Sequence, residues 1–293
     1  RHGGTVVIGT PDDIQGVKDL APCNTQFTGD LITRLLFVPL LEEQPDYSEH
    51  PPTFAPALAE RFEWSPDRRQ LTFWLRAGAL WSDGTPITAE DVRWTWQAQI
   101  DPDVAWDYAY AKESITNVEV VDPLTARFHF SRTYFSQLTD ANEGVILPKH
   151  AWSRLPFARW RDSGDWFREH LVVSGPFSLE SWNPQQEIVL ARNLRYFQSG
   201  QPLLDRVVFR IIPDIANQIA QLLAGSLDYV EQVPAADAQR LAGSDRTTLL
   251  EYFSRQYTYI QWNTARPLFQ DPEVRRALAL GTNRQALVDA IWH

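Results

Sequence analysis

The residues most suggestive of chemistry are acids that lie close to tryptophans. Asp83 follows Trp81 by two positions, and Asp107 directly follows Trp106. Carboxyl groups near aromatic rings suggest a glycoside hydrolase, but that reaction needs two carboxyl groups on either side of one bond. Adjacency in a sequence does not establish that arrangement, and most acids of this kind form turns or stay solvated. A glycoside hydrolase is therefore one alternative, and no residue is assigned a catalytic role.

Other signatures of catalysis or metal binding are missing from the sequence. It has no Gly-x-Ser-x-Gly, His-Glu-x-x-His, Gly-x-x-x-x-Gly-Lys or Gly-x-Gly-x-x-Gly motif. No two of its six histidines share a helical turn, and Cys23 is the single cysteine. A disulfide within the chain and a multi-cysteine metal site are thereby excluded. We predict no metal ligands and no cofactor.

Charge and hydropathy restrict the partners of this 293-residue chain. Its 27 basic and 37 acidic residues give a formal charge of −10, which argues against a nucleic-acid surface. No apolar run approaches the roughly 20 residues that a membrane-spanning helix needs. The sequence contains no methionine and no basic-then-apolar leader, so we expect a targeting segment to be absent from this chain.

Hydrophobic periodicity predicts a mixture of strands and helices. A helix is predicted from Asp30 to Leu41, with Pro39 limiting its end, and residues 44–56 are predicted to form a surface loop. Strands are predicted at Thr5–Ile8, Leu71–Leu75, Asn117–Val121, Thr125–Phe130, Phe177–Trp182, Glu187–Ala191 and Arg206–Ile212.

Capping patterns predict where several helices begin and end. Asp214 caps a helix that closes at Gly225, and the strand-helix-strand order over residues 206–230 implies a parallel crossover. Asp271 followed by proline opens another helix, and Asn283 caps a further one. That last helix has no stop signal before the chain ends, so we expect the chain to be truncated within a unit.

Residues 81–97 read WSDGTPITAEDVRWTWQ, a turn followed by a helix start. Thr88 and Asp91 have the spacing of a capping box, in which side chains satisfy the first N–H groups of a helix. Val92 and Trp96 share one helical face, which favours packing against a sheet. We interpret this stretch as scaffold rather than as ligand contact.

As an ordered set, these motifs resemble the family 5 extracellular solute-binding proteins, the oligopeptide, dipeptide and nickel receptors of ABC importers. The resemblance begins at residues 3–9 (GGTVVIG) and is strongest over residues 56–76 and 81–92. It continues at residues 174–177 (SGPF), 192–197 (RNLRYF), Asn263 and 271–278 (DPEVRRAL).

The resemblance implies an α/β, periplasmic-binding-protein-like fold of type II, cluster C. It implies lobe one with a smaller inserted α+β domain and only the start of lobe two. Residues 1–43 and 168–250 would form a discontinuous α/β domain, and residues 44–167 the inserted domain. Residues 251–293 would be the crossover and start of lobe two, whose remainder is absent.

Candidate ligand contacts are chosen on two grounds: a position at the carboxyl end of a predicted strand, and the family resemblance. The loop after the first strand lies at a carboxyl end, where open α/β sheets bind ligands, although an ordinary Asx-turn is an equal alternative. Trp106, Tyr108 and Tyr110 occupy positions where relatives carry cleft-lining aromatic residues. Gln232 and Val233 follow a predicted strand. Tyr257 and Thr258 precede the crossover to lobe two. The candidates are Thr10, Pro11, Asp12, Asp13, Trp106, Tyr108, Tyr110, Gln232, Val233, Tyr257 and Thr258.

The sequence therefore predicts a binding protein and not an enzyme. The leading hypothesis is the receptor of an ABC importer, periplasmic or extracellular, that captures a small ligand, most plausibly a di- or oligopeptide. It would deliver that ligand to a membrane permease, and we expect a monomer that binds no nucleic acid. The alternatives are the ligand-sensing domain of a regulator with the same fold, and the glycoside hydrolase.

Overall fold

The computed structural model describes residues 3–14, 27–44, 50–231, 233–251 and 259–291. The chain divides into two compact units, one made of Arg1–Gln44 with Pro52–Glu231 and the other of Pro45–Pro51 with Gln232–His293. The described strands are β1 (Thr5–Thr10), β2 (Leu41–Glu43), β3 (Phe54–Pro56), β4 (Ala59–Trp64), β5 (Gln70–Leu75), β6 (Ile115–Asp122), β7 (Thr125–Phe130), β8 (Phe177–Asn183), β9 (Glu187–Arg192), β10 (Arg206–Ile211) and β11 (Tyr229–Val230).

Helices connect or cover these strands. The α-helices are α1 (Phe27–Leu36), α2 (Ala89–Ile100), α3 (Gln137–Asn142), α4 (Lys149–Trp152), α5 (Gly164–Glu169), α6 (Ile215–Ala224), α7 (Ala235–Ala242), α8 (Pro267–Gln270), α9 (Pro272–Gly281) and α10 (Arg284–Ile291). In the described part of the chain, 3₁₀ helices span Ala109–Lys112 and Phe157–Asp162.

The first unit contains a five-stranded sheet with the order β11-β1-β10-β9-β8. β1 runs parallel to both β10 and β11, whereas β10, β9 and β8 are antiparallel neighbours. The predicted parallel crossover through α6 is confirmed, since β10 and β11 both pair parallel to β1. Asp214 caps α6 by accepting a hydrogen bond from the Asn217 N–H at 2.7 Å. Gly225 ends the helix in the left-handed region, with φ of 77°, a conformation that glycine adopts without steric cost.

A four-stranded antiparallel sheet with the order β4-β5-β7-β6 forms the other half of this unit. Along β5, Leu71, Phe73 and Leu75 are buried on one face, as the period-two pattern predicts. The 117–121 and 125–130 predictions are confirmed as the hairpin β6–β7. α2 packs against this hairpin. The two-stranded antiparallel sheet β2–β3 directly precedes β4 in the sequence.

Two sequence predictions were wrong at their boundaries. The helix expected to reach Leu41 ends at Leu36, because the residue before Pro39 favours extended backbone and the Val38 N–H is donated to Ser174 Oγ at 3.2 Å. The loop predicted over residues 44–56 includes β3 at its end, where pairing with β2 decides the structure. Within that loop, residues 45–49 lie outside the described part of the chain.

The core of the first unit is strongly aromatic. Trp152, Trp160 and Phe167 are buried and meet edge to face, with ring centroids 4.9 to 6.0 Å apart. Edge-to-face pairs add stability beyond the area that they bury. All eleven tryptophans in the described part of the chain are buried or half-buried. The abundance of tryptophan therefore reflects packing to a large extent.

Helix caps in the second unit follow the sequence signals. Asp271 accepts the Glu273 N–H at 2.8 Å with Pro272 at the first helical position, and Asn283 accepts the Ala286 N–H at 3.0 Å. These local bonds fix the starts of α9 and α10, and they confirm both predicted caps.

Candidate functional site

The turn at residues 81–86 joins two distant parts of the first unit. Trp81 is fully buried, and the Ser82 N–H donates a hydrogen bond to the Val173 carbonyl at 2.8 Å. The Ser82 hydroxyl also accepts the Val173 N–H at 3.0 Å, and Arg195 donates to the Ser82 carbonyl at 2.9 Å. The turn is thereby tied to the segments on both sides of β8 and β9. This geometry supports a scaffold role.

Asp91 holds the starts of two helices with one carboxyl group. One oxygen accepts the Thr88 N–H at 2.8 Å, completing the capping box, and the other accepts the Lys149 N–H at 3.0 Å. Burial raises the pKa of Asp91, and the hydrogen bonds from Thr88 and Lys149 oppose that rise. A carboxyl group whose oxygens are used in this way is structural.

The contacts of Asp83 and Asp107 do not place them as the facing pair of carboxyl groups that glycoside hydrolysis requires. Asp83 accepts the Thr85 N–H at 2.9 Å and bonds His150 Nε2 at 2.7 Å, which is the behaviour of a turn former. Asp107 is exposed beside the buried Trp106. Nothing in this geometry favours a catalytic pair.

The parallel strands of the five-stranded sheet bring three carboxyl ends to one edge. β1 ends there at Thr10, which is paired in register with Ile211 at the end of β10. Gly9 is likewise paired with Val230 at the end of β11. Open α/β sheets bind ligands at such an edge, so the loop of residues 10–13 lies in a favourable place.

The members of that loop differ in what they can offer a ligand. Thr10 is buried, and its carbonyl accepts the Ile212 N–H at 2.8 Å. Asp13 is also buried, and its carboxylate accepts hydrogen bonds from Trp182 Nε1 at 2.9 Å and the Gln185 N–H at 2.7 Å. Thr10 and Asp13 thus anchor the loop, while Pro11 and Asp12 are exposed to solvent.

Trp106, Tyr108 and Tyr110 form a graded series that we call the aromatic ladder. The Trp106 and Tyr108 rings have centroids 5.7 Å apart, and those of Tyr108 and Tyr110 are 6.1 Å apart. Exposure rises along the ladder from 5% through 38% to 66%. The ladder therefore begins in the core and ends with a tyrosine that presents most of its surface to solvent. The structure brings these three candidates together.

The remaining candidates are less well defined. Val233 is half-buried and precedes α7 in the second unit. Gln232, Tyr257 and Thr258 lie outside the described residues. The sequence-based prediction for these four positions therefore stays a prediction.

Sequence reasoning missed the residues beneath the ladder. Lys112 is completely buried, and its ammonium donates to the backbone carbonyls of Asp140 at 2.6 Å, Ala141 at 3.3 Å and Glu143 at 2.8 Å. Its Nζ also lies 5.6 Å from the Trp106 ring centroid, within the range of a cation–π interaction. Lysine is almost never fully buried in proteins, so no local sequence pattern predicts that Lys112 is buried.

Burial has a marked effect on the chemistry of that lysine. Desolvation lowers the pKa of Lys112 to about 7, and the negative charges of Glu143 and Asp140 oppose the change. The protonation of this group is consequently sensitive to pH near neutrality.

Neither a metal-binding cluster nor a membrane-spanning helix occurs in the described residues. They contain no group of three or more His, Cys, Asp and Glu side chains placed to hold a metal ion. They also contain no helix long and apolar enough to cross a membrane.

An α/β sheet with candidate contacts at the carboxyl ends of parallel strands is typical of proteins that bind small ligands. The family described as bacterial extracellular solute-binding proteins, family 5 Middle, matches residues 53–293. The chain belongs to family 5 of the bacterial extracellular solute-binding proteins, as the sequence motifs predict.

Individual relatives agree with this assignment. The oligopeptide-binding protein AppA of Bacillus subtilis is 29% identical over 220 residues, which cover 74% of this chain and 40% of AppA. The solved structure of AppA with a nonapeptide has a TM-score of 0.83 at 26% identity, covering 98% of this chain and 55% of AppA.

A second solved structure extends the likeness of fold. NikZ of Campylobacter jejuni, in complex with Ni(L-His), has a TM-score of 0.81 at 21% identity, covering 99% of this chain and 55% of NikZ. At that identity the likeness concerns the fold alone. The chain spans about half the length of the relatives that it matches.

Proposed function

We propose that this chain forms part of a transport receptor that captures a peptide and delivers it to the permease of an ABC importer. The observation that carries the proposal is the match over 98% of the chain to a structure of AppA that holds a nonapeptide. The family name supports a location outside the cytoplasmic membrane. In this proposal the protein is a monomeric receptor, neither an enzyme nor a nucleic-acid binder.

The domain division remains part of the proposal. Residues 1–43 and 168–250 form one domain, residues 44–167 an inserted domain, and residues 251–293 the start of lobe two. The separation of the strands into a five-stranded sheet and a four-stranded sheet supports the first two assignments. The ligand would bind in a cleft between lobes that close by hinge motion, as in other binding proteins of this kind.

We assign different roles to the candidate residues. Tyr108 and Tyr110 are proposed to contact the ligand, because each offers an apolar face and a polar tip. Pro11 and Asp12 are proposed as further contacts, since they are the exposed members of the 10–13 loop. The four candidates at Gln232, Val233, Tyr257 and Thr258 complete the set, with main-chain pairing providing affinity that tolerates different peptide sequences.

Native mass spectrometry of the intact, gently purified gene product would test the ligand class. We expect a series of bound masses that fragment as short peptides. A single hexose series, or a mass that fits a nickel chelate, would contradict the peptide assignment. Thermal-shift assays with peptide pools provide a second test, because a bound ligand stabilises the folded state by mass action. An unchanged melting temperature with every pool would also count against the proposal.

The ladder can be tested by substitution of its exposed end. Tyr110→Ala should weaken peptide binding roughly tenfold, as expected for truncation of an aromatic contact. Phe135→Ala is a matched control, because Phe135 is an aromatic residue of the same unit that is 90% exposed. Equal effects of the two substitutions would argue against a specific contribution from the ladder.

The enzyme alternative has its own test. Chromogenic glycosides should not be hydrolysed by the purified protein. Turnover that is lost in Asp83→Asn would overturn the assignment of a receptor.

A further inference from the structure

The loop that carries the aromatic ladder is tied at both ends to a single carbonyl oxygen. Residues 101–113 lie in the segment between α2 and β6, and Gln99 lies in the last turn of α2. The Gln99 side-chain amide donates to the Glu143 carbonyl at 3.3 Å. Lys112, at the other end of the loop, donates to the same oxygen at 2.8 Å. The Glu143 carbonyl therefore closes the loop at its base.

Each N–H group of the Lys112 ammonium has a carbonyl oxygen to accept it. A lysine ammonium has three N–H donors, and three carbonyl oxygens receive them, those of Asp140, Ala141 and Glu143. Asp140 and Ala141 belong to the last turn of α3, where carbonyl groups lack partners within the helix and carry partial negative charge. A positive charge is well placed there.

Trp106 is wedged between Lys112 and Gly144. Gly144 has φ of 87°, and a Cβ atom there would lie 3.1 Å from the Trp106 ring and 2.5 Å from Gln99 Nε2. Glycine thus lets the 140–144 turn approach both the ring and the amide closely. Any movement of this turn must move Trp106 as well, since protein interiors leave little free volume.

The same turn is also fixed to the body of the first unit. Asn142 accepts the Leu41 N–H at 2.7 Å and donates to the Leu41 carbonyl at 2.9 Å. Nearby, the Ile146 N–H is donated to the Val38 carbonyl at 3.1 Å. The turn therefore connects the segment after α1 with the base of the ladder loop.

We propose that Lys112 is a positioning residue of the ligand site, which locks the 101–113 loop onto the 140–144 turn and thereby sets where Tyr108 and Tyr110 meet the ligand. This inference rests on the proposed function for its link to binding. Lys112 itself is buried, so in this proposal it acts through the two tyrosines.

The charge state of Lys112 provides a handle on this mechanism. A neutral amine has only two N–H donors, so one of the three carbonyls would lose its partner. The pKa of Lys112, lowered to about 7 by burial, makes that change accessible near neutral pH. The acidic groups that face the ammonium are Asp140 and Glu143.

The test uses two spectroscopic probes in the intact protein. Trp106 is observed by ¹⁹F NMR after incorporation of 5-fluorotryptophan, and its signal is assigned by its absence in Trp106→Phe. ¹³C labelling of the lysine ε-carbons observes Lys112, whose signal is assigned by its absence in Lys112→Met. In the unmodified protein we expect the Trp106 signal to shift with pH at the same midpoint as the Lys112 signal.

Substitution provides the matching comparison. Lys112→Met should shift the Trp106 signal and abolish its titration, while Lys149→Met should change neither. Lys149 is the suitable control, because its side chain is only partly buried and its ammonium pairs with Glu90 at 2.8 Å. If Lys112→Met does not fold, the pH comparison in the unmodified protein decides the question. A Trp106 signal that is indifferent to the titration of Lys112 would overturn the proposal.

Binding is measured separately with a fluorescein-labelled pool of nonapeptides. Lys112→Met should raise the half-saturating protein concentration roughly tenfold, whereas Lys149→Met should leave it unchanged. Failure of the unmodified protein to bind any peptide would refute the proposed function, and the NMR comparison would still test the positioning of Trp106. A shifted Trp106 signal with unchanged peptide binding would refute the link to the ligand.

Discussion

Gly175 lies where the end of α1 approaches the segment that enters β8, and there is no space for a side chain. A Cβ atom at this position would overlap the Leu35 carbonyl oxygen and lie 2.7 Å from the Leu36 carbonyl carbon. Both neighbours are backbone atoms, which cannot rotate away as a flexible side chain could. Gly175→Ala therefore requires the end of α1 and the 174–176 segment to separate.

The cost of that separation can be worked out from the contacts. Overpacking of a well-packed core costs about 1–3 kcal/mol. The separation also threatens the hydrogen bonds from the Ser174 and Gly175 N–H groups to the Leu36 carbonyl, at 3.1 and 2.8 Å. Each is worth about 1 kcal/mol. We therefore expect a loss of about 3–5 kcal/mol, a large part of the 5–15 kcal/mol that stabilises a typical protein.

Calorimetry and urea unfolding of the two proteins would measure this loss. A change of that size should lower the melting temperature by roughly 10 °C. Gly281→Ala is the control, because that glycine ends α9 with no atom within 4 Å of the added carbon, and alanine favours a helix. If Gly175→Ala melted within a degree of the unmodified protein, the inferred lack of space would be wrong.

Three other substitutions test charged groups of the first unit. The free energy of unfolding should rise with pH between about 7 and 10.5, because the folded state of Lys112 binds fewer protons there than the unfolded state does. The slope of that rise is at most about 1.4 kcal/mol per pH unit. Lys112→Met should remove the rise, and a pH profile of the free energy of unfolding that is the same in both proteins would contradict this expectation. Asp13→Ala should lower the free energy of unfolding by about 2–3 kcal/mol, because the hydrogen bonds to Asp13 are lost, whereas Asp12→Ala should leave it unchanged. Equal urea midpoints of the two variants would refute the role of Asp13 as the anchor of the 10–13 loop. Asp91→Ala should cost about 2 kcal/mol in the same assay by removing a cap and the bond to the start of α4, and a neutral result would show that its burial penalty offsets both.

Much of the local structure could be predicted from the sequence. The capping box at Thr88 and Asp91, the helix stop at Gly225 and the caps at Asp271 and Asn283 all lie where their patterns predict. These features depend on hydrogen bonds between residues only a few positions apart. The order of the motifs along the chain also indicated the family.

The candidate site was less predictable, because exposure depends on segments far apart in the chain. Asp12 and Asp13 are adjacent in the sequence, yet only Asp13 is buried, through bonds to Trp182 and Gln185. Similarly, the sequence favoured grouping Trp106 with Tyr108 and Tyr110, but only the structure shows that exposure increases along the series.

Lys112 illustrates the difference between what the sequence predicts and what only the folded structure shows. Hydrophobic periodicity and short-range hydrogen bonds predicted strands such as β5 and β7 and the helix caps, and the resemblance of the ordered motifs predicted the family. Only the folded structure shows that Lys112 is buried against the carbonyls of Asp140, Ala141 and Glu143, about thirty positions away. Burial of a charge is favourable only where distant backbone groups already converge to receive it, and that convergence exists only in the folded chain.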